Sequence, residues 1–196
     1  DFMIKTIILL IESPFNQRDF NRFGVPIFRL RGFEVLIWDI HPITRPQVIN
    51  RYVPPDAISD PGLISFVKQS DVVSQIKQLD ASSTVIISHI GYGLKTCFIH
   101  RAINKKEIKV AICKEGFLPT VKINKLKRIF FLYRPLGLVE RMITEFVCVF
   151  LLLFIKPAKV TWYLSGGDVA TGSCQASSLH VSSLSVINVH SFDYDI

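Results

Sequence analysis

Apolar positions fall along this chain in two alternating rhythms. Short continuous apolar runs occur at Thr6 to Ile11, Val35 to Ile40, Thr84 to Ile90, Lys109 to Cys113, Val160 to Leu164 and Leu184 to His190. Such runs read as strands covered on both faces, the pattern of a parallel sheet packed between helices. Between the first two, Phe20, Phe23, Ile27 and Leu30 recur at spacings of three and four, which gives one apolar helical face. Leu63, Ile64, Val67, Val73, Ile76 and Leu79 predict a second helix, opened by Asp60-Pro61 as cap and first helical position. Further helices are expected from about Leu94 to Asn104 and from Leu138 to Ile155. Strand and helix alternate from end to end. The expected fold is α/β: a Rossmann-like open, mostly parallel sheet of about six strands with helices on both faces, in one domain spanning residues 3–196.

Residues that break the rhythms refine this outline. Asn16 suits a helix N-cap, and Asp19 complements the positive end of that helix. Pro26 removes a backbone donor inside the apolar pattern, which predicts a kink near Arg22 to Gly24, and Gly32 ends the helix. From His41 to Ser59 four prolines and no periodicity predict a long loop. Phe146 to Ile155 is apolar all round. It is too short to span a bilayer and is expected as a buried core helix, with an element lying in a membrane interface as the alternative. Ala170 to Ser183 is rich in serine and small residues and predicts no clear element.

Composition narrows the function classes. The 196 residues suffice for one domain with a sizeable core, and 49% apolar content with 15 phenylalanines argues against disorder. A net charge of +7 favours anionic partners: phosphate, nucleotide diphosphate, anionic lipid or nucleic acid. The four cysteines (Cys97, Cys113, Cys148, Cys174) are far apart and read as reduced thiols, not as a zinc site or disulfide framework. Ile7 to Ile11 is too short for a signal peptide, and Asp1-Phe2 ahead of Met3 suggests a native start at Met3.

In an open parallel sheet, ligands bind beyond the carboxyl ends of the strands. Those ends offer Glu12, Ser13 and Asn16; Asp39 and His41; His89, Gly91, Tyr92 and Gly93; Glu115 and Gly116; Gly166, Gly167 and Asp168; and His190, Asp193 and Asp195. Arg18 and Arg22 follow the first turn, where they suit a hydroxyl, a carboxylate or a single phosphate. Gly91-Tyr92-Gly93 lacks the third glycine of a dinucleotide fingerprint and reads either as a phosphate turn or as a plain tight turn. Gly166-Gly167-Asp168 either admits a ligand close to the backbone or merely turns the chain. His89, near the end of an apolar strand, is either a general base for transfer to a hydroxyl or a hydrogen-bonded core histidine. Asp193-Tyr194-Asp195 has the form of a DxD motif, in which two carboxylates hold a divalent cation against a diphosphate.

Between Lys122 and Arg141 six cations face one acid, Glu140, around Phe130, Phe131, Leu132 and Tyr133. That segment reads as a solvated face, or as a contact with anionic lipid through Lys125, Lys127, Arg128, Phe130 and Phe131. No RNA-binding signature or helix-turn-helix pattern supports nucleic acid. Walker A, GxSxG, HExxH and complete GxGxxG patterns are also missing, which disfavours P-loop NTPases, α/β-hydrolases, zincins and ordinary dehydrogenases.

Ile11-Glu12-Ser13-Pro14-Phe15-Asn16, Arg18-Asp19-Phe20, Arg22-Phe23-Gly24, Gly32-Phe33-Glu34-Val35 and Trp38-Asp39, with the terminal His190-Ser191-Phe192-Asp193-Tyr194-Asp195, resemble bacterial proteins of surface-polysaccharide gene clusters. These look like the N-terminal, acceptor-side domain of GT-B glycosyltransferases. The resemblance implies a cytoplasmic domain, peripheral at the inner face of the cell membrane. It would bind a sugar or lipid-linked acceptor, with His89 or Asp193 as acid/base. It implies no cofactor in this domain, because the nucleotide-sugar donor would sit on a C-terminal domain beyond Ile196. Two readings stand beside it: a non-catalytic α/β ligand-binding or regulatory domain, and a metal-dependent transferase using Asp193 and Asp195.

Overall fold

Seven strands form one sheet in the order β3-β2-β1-β4-β5-β6-β7, every neighbouring pair parallel. They are β1 (Thr6–Ile11), β2 (Glu34–Asp39), β3 (Leu63–Ser65), β4 (Thr84–His89), β5 (Lys109–Lys114), β6 (Trp162–Ser165) and β7 (Ser185–Asn188). The structure is a computed structural model that describes residues 3–49, 56–114, 143, 146–147, 149–165 and 185–188. The Rossmann-like α/β expectation is met, with one strand more than the apolar runs suggest.

Alternation along the strands divides the core into two layers. Ile8, Leu10, Trp38, Ile40 and Ile86 face α5 (Gln69–Gln78) and α6 (Cys97–Lys106), packing on Val72, Ile76, Ile99 and Ile103. Ile7, Leu9, Ile11, Val35, Ile37 and Ile87 face the opposite way. They pack with Phe15, Val25, Phe20 and Phe23 from the region of α1 (Gln17–Arg22) and α2 (Val25–Leu30). The continuous apolar runs are therefore strands buried on both faces.

Four expectations need correction. The first crossover is two short helices, not one kinked helix, and Pro26 is not what separates them. Gly24, in the left-handed region at φ 68°, caps α2, and Pro26 sits in its first turn, where no intrahelical donor is missed. The loop from His41 to Ser59 contains two short helices, α3 (His41–Thr44) and α4 (Pro46–Ile49). Prolines at the first or second position of each are compatible with a helix start.

The helix expected from Asp60 begins only at Gln69. Asp60 does not cap it: Oδ1 accepts the Gly62 amide at 2.8 Å, and the Asp60 carbonyl accepts from Leu63 at 3.0 Å. That turn delivers Leu63–Ser65 as an edge strand, with Leu63 beside Ile37 and Ser65 beside Asp39. Finally, the apolar helix over Phe146 to Ile155 is not a core element. Residues 149–154 are helical, but Phe146, Val149, Phe150, Leu152, Leu153 and Phe154 are exposed, and Ile155 is the buried one among the described residues of this stretch.

Candidate functional site

Strand order reverses between β1 and β4, and in open α/β sheets the crevice beyond such a reversal is where ligands bind. Registers across it are aligned. Ile11 at the end of β1 lies beside Asp39 on one side and His89 on the other. Strand alternation puts all three on the α1/α2 side of the sheet. With strands about 4.8 Å apart, the backbones of Asp39 and His89 stand roughly 10 Å from each other across Ile11.

The turn leaving β1 is fixed from within. Phe15 is buried against Phe20 and Phe23 and anchors the turn. Asn16 caps α1 as expected, its Oδ1 accepting the Asp19 amide at 2.8 Å. The Gln17 amide donates to the Asp56 carbonyl at 2.9 Å, so a second donor at this helix end is also engaged. Two amides of the first helical turn, those of Gln17 and Asp19, are thus held within the fold. Glu12 is half-buried, with Arg45 Nη2 4.0 Å from Oε1. Arg18 is exposed in the first turn of α1, whereas Arg22 stands in its last.

The turn leaving β4 is organised by Thr96. Its hydroxyl donates to the Gly91 carbonyl at 2.7 Å and accepts the Gly93 amide at 2.9 Å. A Cβ added at Gly91 or Gly93 would meet nothing within 4 Å, and neither residue has the positive φ of Gly24 or Gly32. Local crowding and backbone conformation therefore do not require these glycines, which leave space beside the crevice, while the Gly93 carbonyl accepts the Thr96 and Cys97 amides at 3.0 and 2.8 Å. Tyr92 Oη donates to the Ile155 carbonyl at 2.7 Å, which ties the turn to the exposed apolar helix. His89 is half-buried, its ring 4.3 Å centroid to centroid from Phe23.

The end of β2 holds a cluster that the sequence placed on the rim without singling it out. Asp39 Oδ1 accepts the His41 amide at 2.8 Å, and Oδ2 lies 3.4 Å from Ser65 Oγ and 3.8 Å from His41 Nδ1. Burial pushes the Asp39 carboxyl above its ordinary range, and the His41 amide only partly offsets this. Both ring nitrogens of His41 are buried without a hydrogen-bond partner. The signal available in the sequence was a carboxylate ending an apolar run and followed two residues later by histidine.

A raised folded-state pKa means that Asp39 supports the fold below the unfolded value near 3.8 and that this contribution is lost as pH rises through the folded value. Asp39→Asn is accordingly expected to be neutral or stabilising at pH 7, within about 1 kcal/mol, and to flatten the pH dependence in acid. Urea unfolding at several pH values measures this. A loss above about 2 kcal/mol would instead mean that the fold needs the carboxylate charge where it lies, beside His41 and Ser65.

The other expected site residues, Gly166, Gly167, Asp168, His190, Asp193 and Asp195, lie outside the described residues, as do Glu115, Gly116, Lys125, Lys127, Arg128, Phe130 and Phe131. Among the described residues no three histidine, cysteine or acidic side chains gather as a metal site. Cys97 is buried and Cys113 half-buried, with no disulfide between them, while Cys148 and Cys174 lie outside the described residues. No described helix is long and apolar enough to cross a membrane. Comparison with family models, curated proteins and solved structures returned no match.

Proposed function

We propose that this chain is the acceptor-side domain of a GT-B-like glycosyltransferase of surface-polysaccharide synthesis, binding a sugar or lipid-linked acceptor in the crevice between β1 and β4. The observation that supports this most is the reversal of strand order there. It sets two turns side by side, one without glycines and capped by Asn16, and one, Gly91-Tyr92-Gly93, with free space at both glycines. Hydroxyls of a sugar match such a rim of carbonyl, amide and carboxylate groups better than a diphosphate does. Glu12 and His89 flank the crevice, and His89 is the acid/base group of this reading. The nucleotide-sugar would be held by a separate donor domain.

A titration of the full chain with alkyl glycosides, followed by amide chemical shifts, tests this. Saturable shifts centred on residues 12–16 and 90–96 are expected. Gly91→Val should weaken the interaction by about tenfold or more, because added side-chain atoms occupy the approach to the backbone, while unfolding stays within about 0.5 kcal/mol of wild type. Tighter binding of a nucleotide-sugar than of any glycoside would overturn the acceptor assignment.

One observation favours a non-catalytic ligand-binding domain as the second reading. The His89 ring is packed on Phe23 and half-buried. Weakened glycoside binding in a His89→Ala variant of the full chain, with no dependence of wild-type binding on pH between about 5 and 8, would make the ring a binding wall, as that reading has it.

A further inference from the structure

The helical stretch at 149–154 is apolar on the side turned away from the domain. Leu151 and Ile155, one turn apart, form the inner stripe, and Ile155 is buried. Outward lie Val149, Phe150, Leu153 and Phe154, with Phe146 one turn earlier. Phe146 is 74%, Leu153 73% and Phe154 72% exposed. Isolated exposed apolar residues are ordinary, but a contiguous face of this kind on a protein surface marks a place of contact.

The end of this helix is firmly held, which fixes how the face is presented. The Ile155 carbonyl accepts from Tyr92 Oη, and Asn104 Nδ2 donates to the carbonyls of Lys156 and Pro157 at 3.2 and 2.8 Å. The Lys159 amide donates to Asn104 Oδ1, and the Ala158 amide donates to His100 Nδ1. Lys156 and Lys159 follow the helix directly and are exposed. From Phe146 to Ser165 the sequence has these two cations and no acid, and the segment Lys122 to Arg141 ahead of it carries six cations against one acid.

We propose that this helix lies in the interface of an anionic membrane, its outward apolar face among the acyl chains and Lys156 and Lys159 at the headgroups. A helix with a broad apolar face, aromatic residues and cations at its border has the composition of an interfacial element. Cationic charge beside it selects anionic lipid. A protein partner would need an apolar surface with acids placed to match. A bilayer leaflet supplies both at once. The inference stands apart from the sugar reading and depends on no ligand in the β1/β4 crevice.

Co-sedimentation of the full chain with phosphatidylcholine vesicles, with and without phosphatidylglycerol, tests it. Binding is expected with phosphatidylglycerol, and it should weaken as salt is raised. Leu153→Asp with Phe154→Asp should weaken it about tenfold or more, and Lys156→Glu with Lys159→Glu should remove the preference for phosphatidylglycerol. These exposed substitutions are expected to leave the urea midpoint unchanged. The proposal fails if the wild type does not sediment with anionic vesicles or if the variants bind as it does. It also fails if Leu153→Asp with Phe154→Asp dissociates a dimer seen by light scattering, since a second copy then covers the face. A marked fall in the variant's urea midpoint overturns it too, by showing that the chain itself covers these residues.

Discussion

Gly62→Ala is expected to cost about 2–3 kcal/mol, seen as a lower urea midpoint with an unchanged slope. An added Cβ would lie 2.6 Å from the Val35 carbonyl oxygen, 3.0 Å from Arg29 Nη2 and 3.2 Å from Asp60 Oδ1. The first of these is backbone of β2 and cannot swing aside. Moving Gly62 instead breaks its own carbonyl's bond from the Ile37 amide, 2.8 Å long, which joins the turn to β2.

The same shift disturbs the two-pronged pairing of Arg29 with Asp60, both contacts 2.7 Å. That pairing raises the pKa of the guanidinium and lowers that of the carboxyl, and the Asp60 side chain is only 7% exposed. Freed from Arg29, Asp60 would be a buried carboxylate with only the Gly62 amide left to stabilise it. Hydrogen exchange should quicken first at Ile37 and Phe66, whose amides hold Gly62 and Asp39 across the β2–β3 edge. Stability within about 0.5 kcal/mol of wild type would show that the turn can relax, and the close approach would then not be what requires glycine.

This edge also shows where sequence reasoning stops. Strands β1, β2, β4 and β5 are legible because each is an unbroken apolar run, and burial on both faces needs nothing more. β3 is three residues long, and Leu63, Ile64 and Val67 fit a helical stripe equally well. What decides between strand and helix is Asp60 being drawn to Arg29, 31 positions earlier. No local pattern carries that information. The apolar run at Phe146 to Ile155 fails for the opposite reason: its helical residues were readable, but which side faces the domain depends on tethers from Tyr92, His100 and Asn104, each more than 50 positions earlier. The rim of the candidate site was legible through strand ends. The engagement of its groups was legible only where it is local, as in Asp39 holding the His41 amide two residues on; Ser65 reaching Asp39 and His89 lying on Phe23 are products of packing between elements.

His100→Ala is expected to cost about 3 kcal/mol and to loosen residues 155–159. The imidazole is buried in α6, and Nδ1 accepts the Ala158 amide at 3.2 Å. That contact assigns the proton of the neutral ring to Nε2, which faces the Gly91 carbonyl at 3.4 Å. Removing the ring leaves a gap beside Tyr92, whose ring lies 5.5 Å from it, an unpaired Ala158 amide and a weakened hold on the β4 turn. Acid should do part of the same work. Burial lowers the His100 pKa, with the Gly91 carbonyl opposing, so the unfolded chain takes up its proton first. Stability from this group is therefore complete above the unfolded value near 6.5 and falls as pH drops from there towards the folded value. Protonation puts a hydrogen on Nδ1, where the Ala158 amide already points, so the two donors oppose each other. His100→Gln cannot titrate, and it should show a shallower loss of stability between pH 7 and pH 5 than wild type, with a smaller initial cost than alanine. An equal slope in both proteins would locate the acid sensitivity elsewhere. A slope confined to the wild type, with exchange at Ala158 and Lys159 rising first, would make the His100 tether the joint that gives way when the helix at 149–154 parts from the β4 turn.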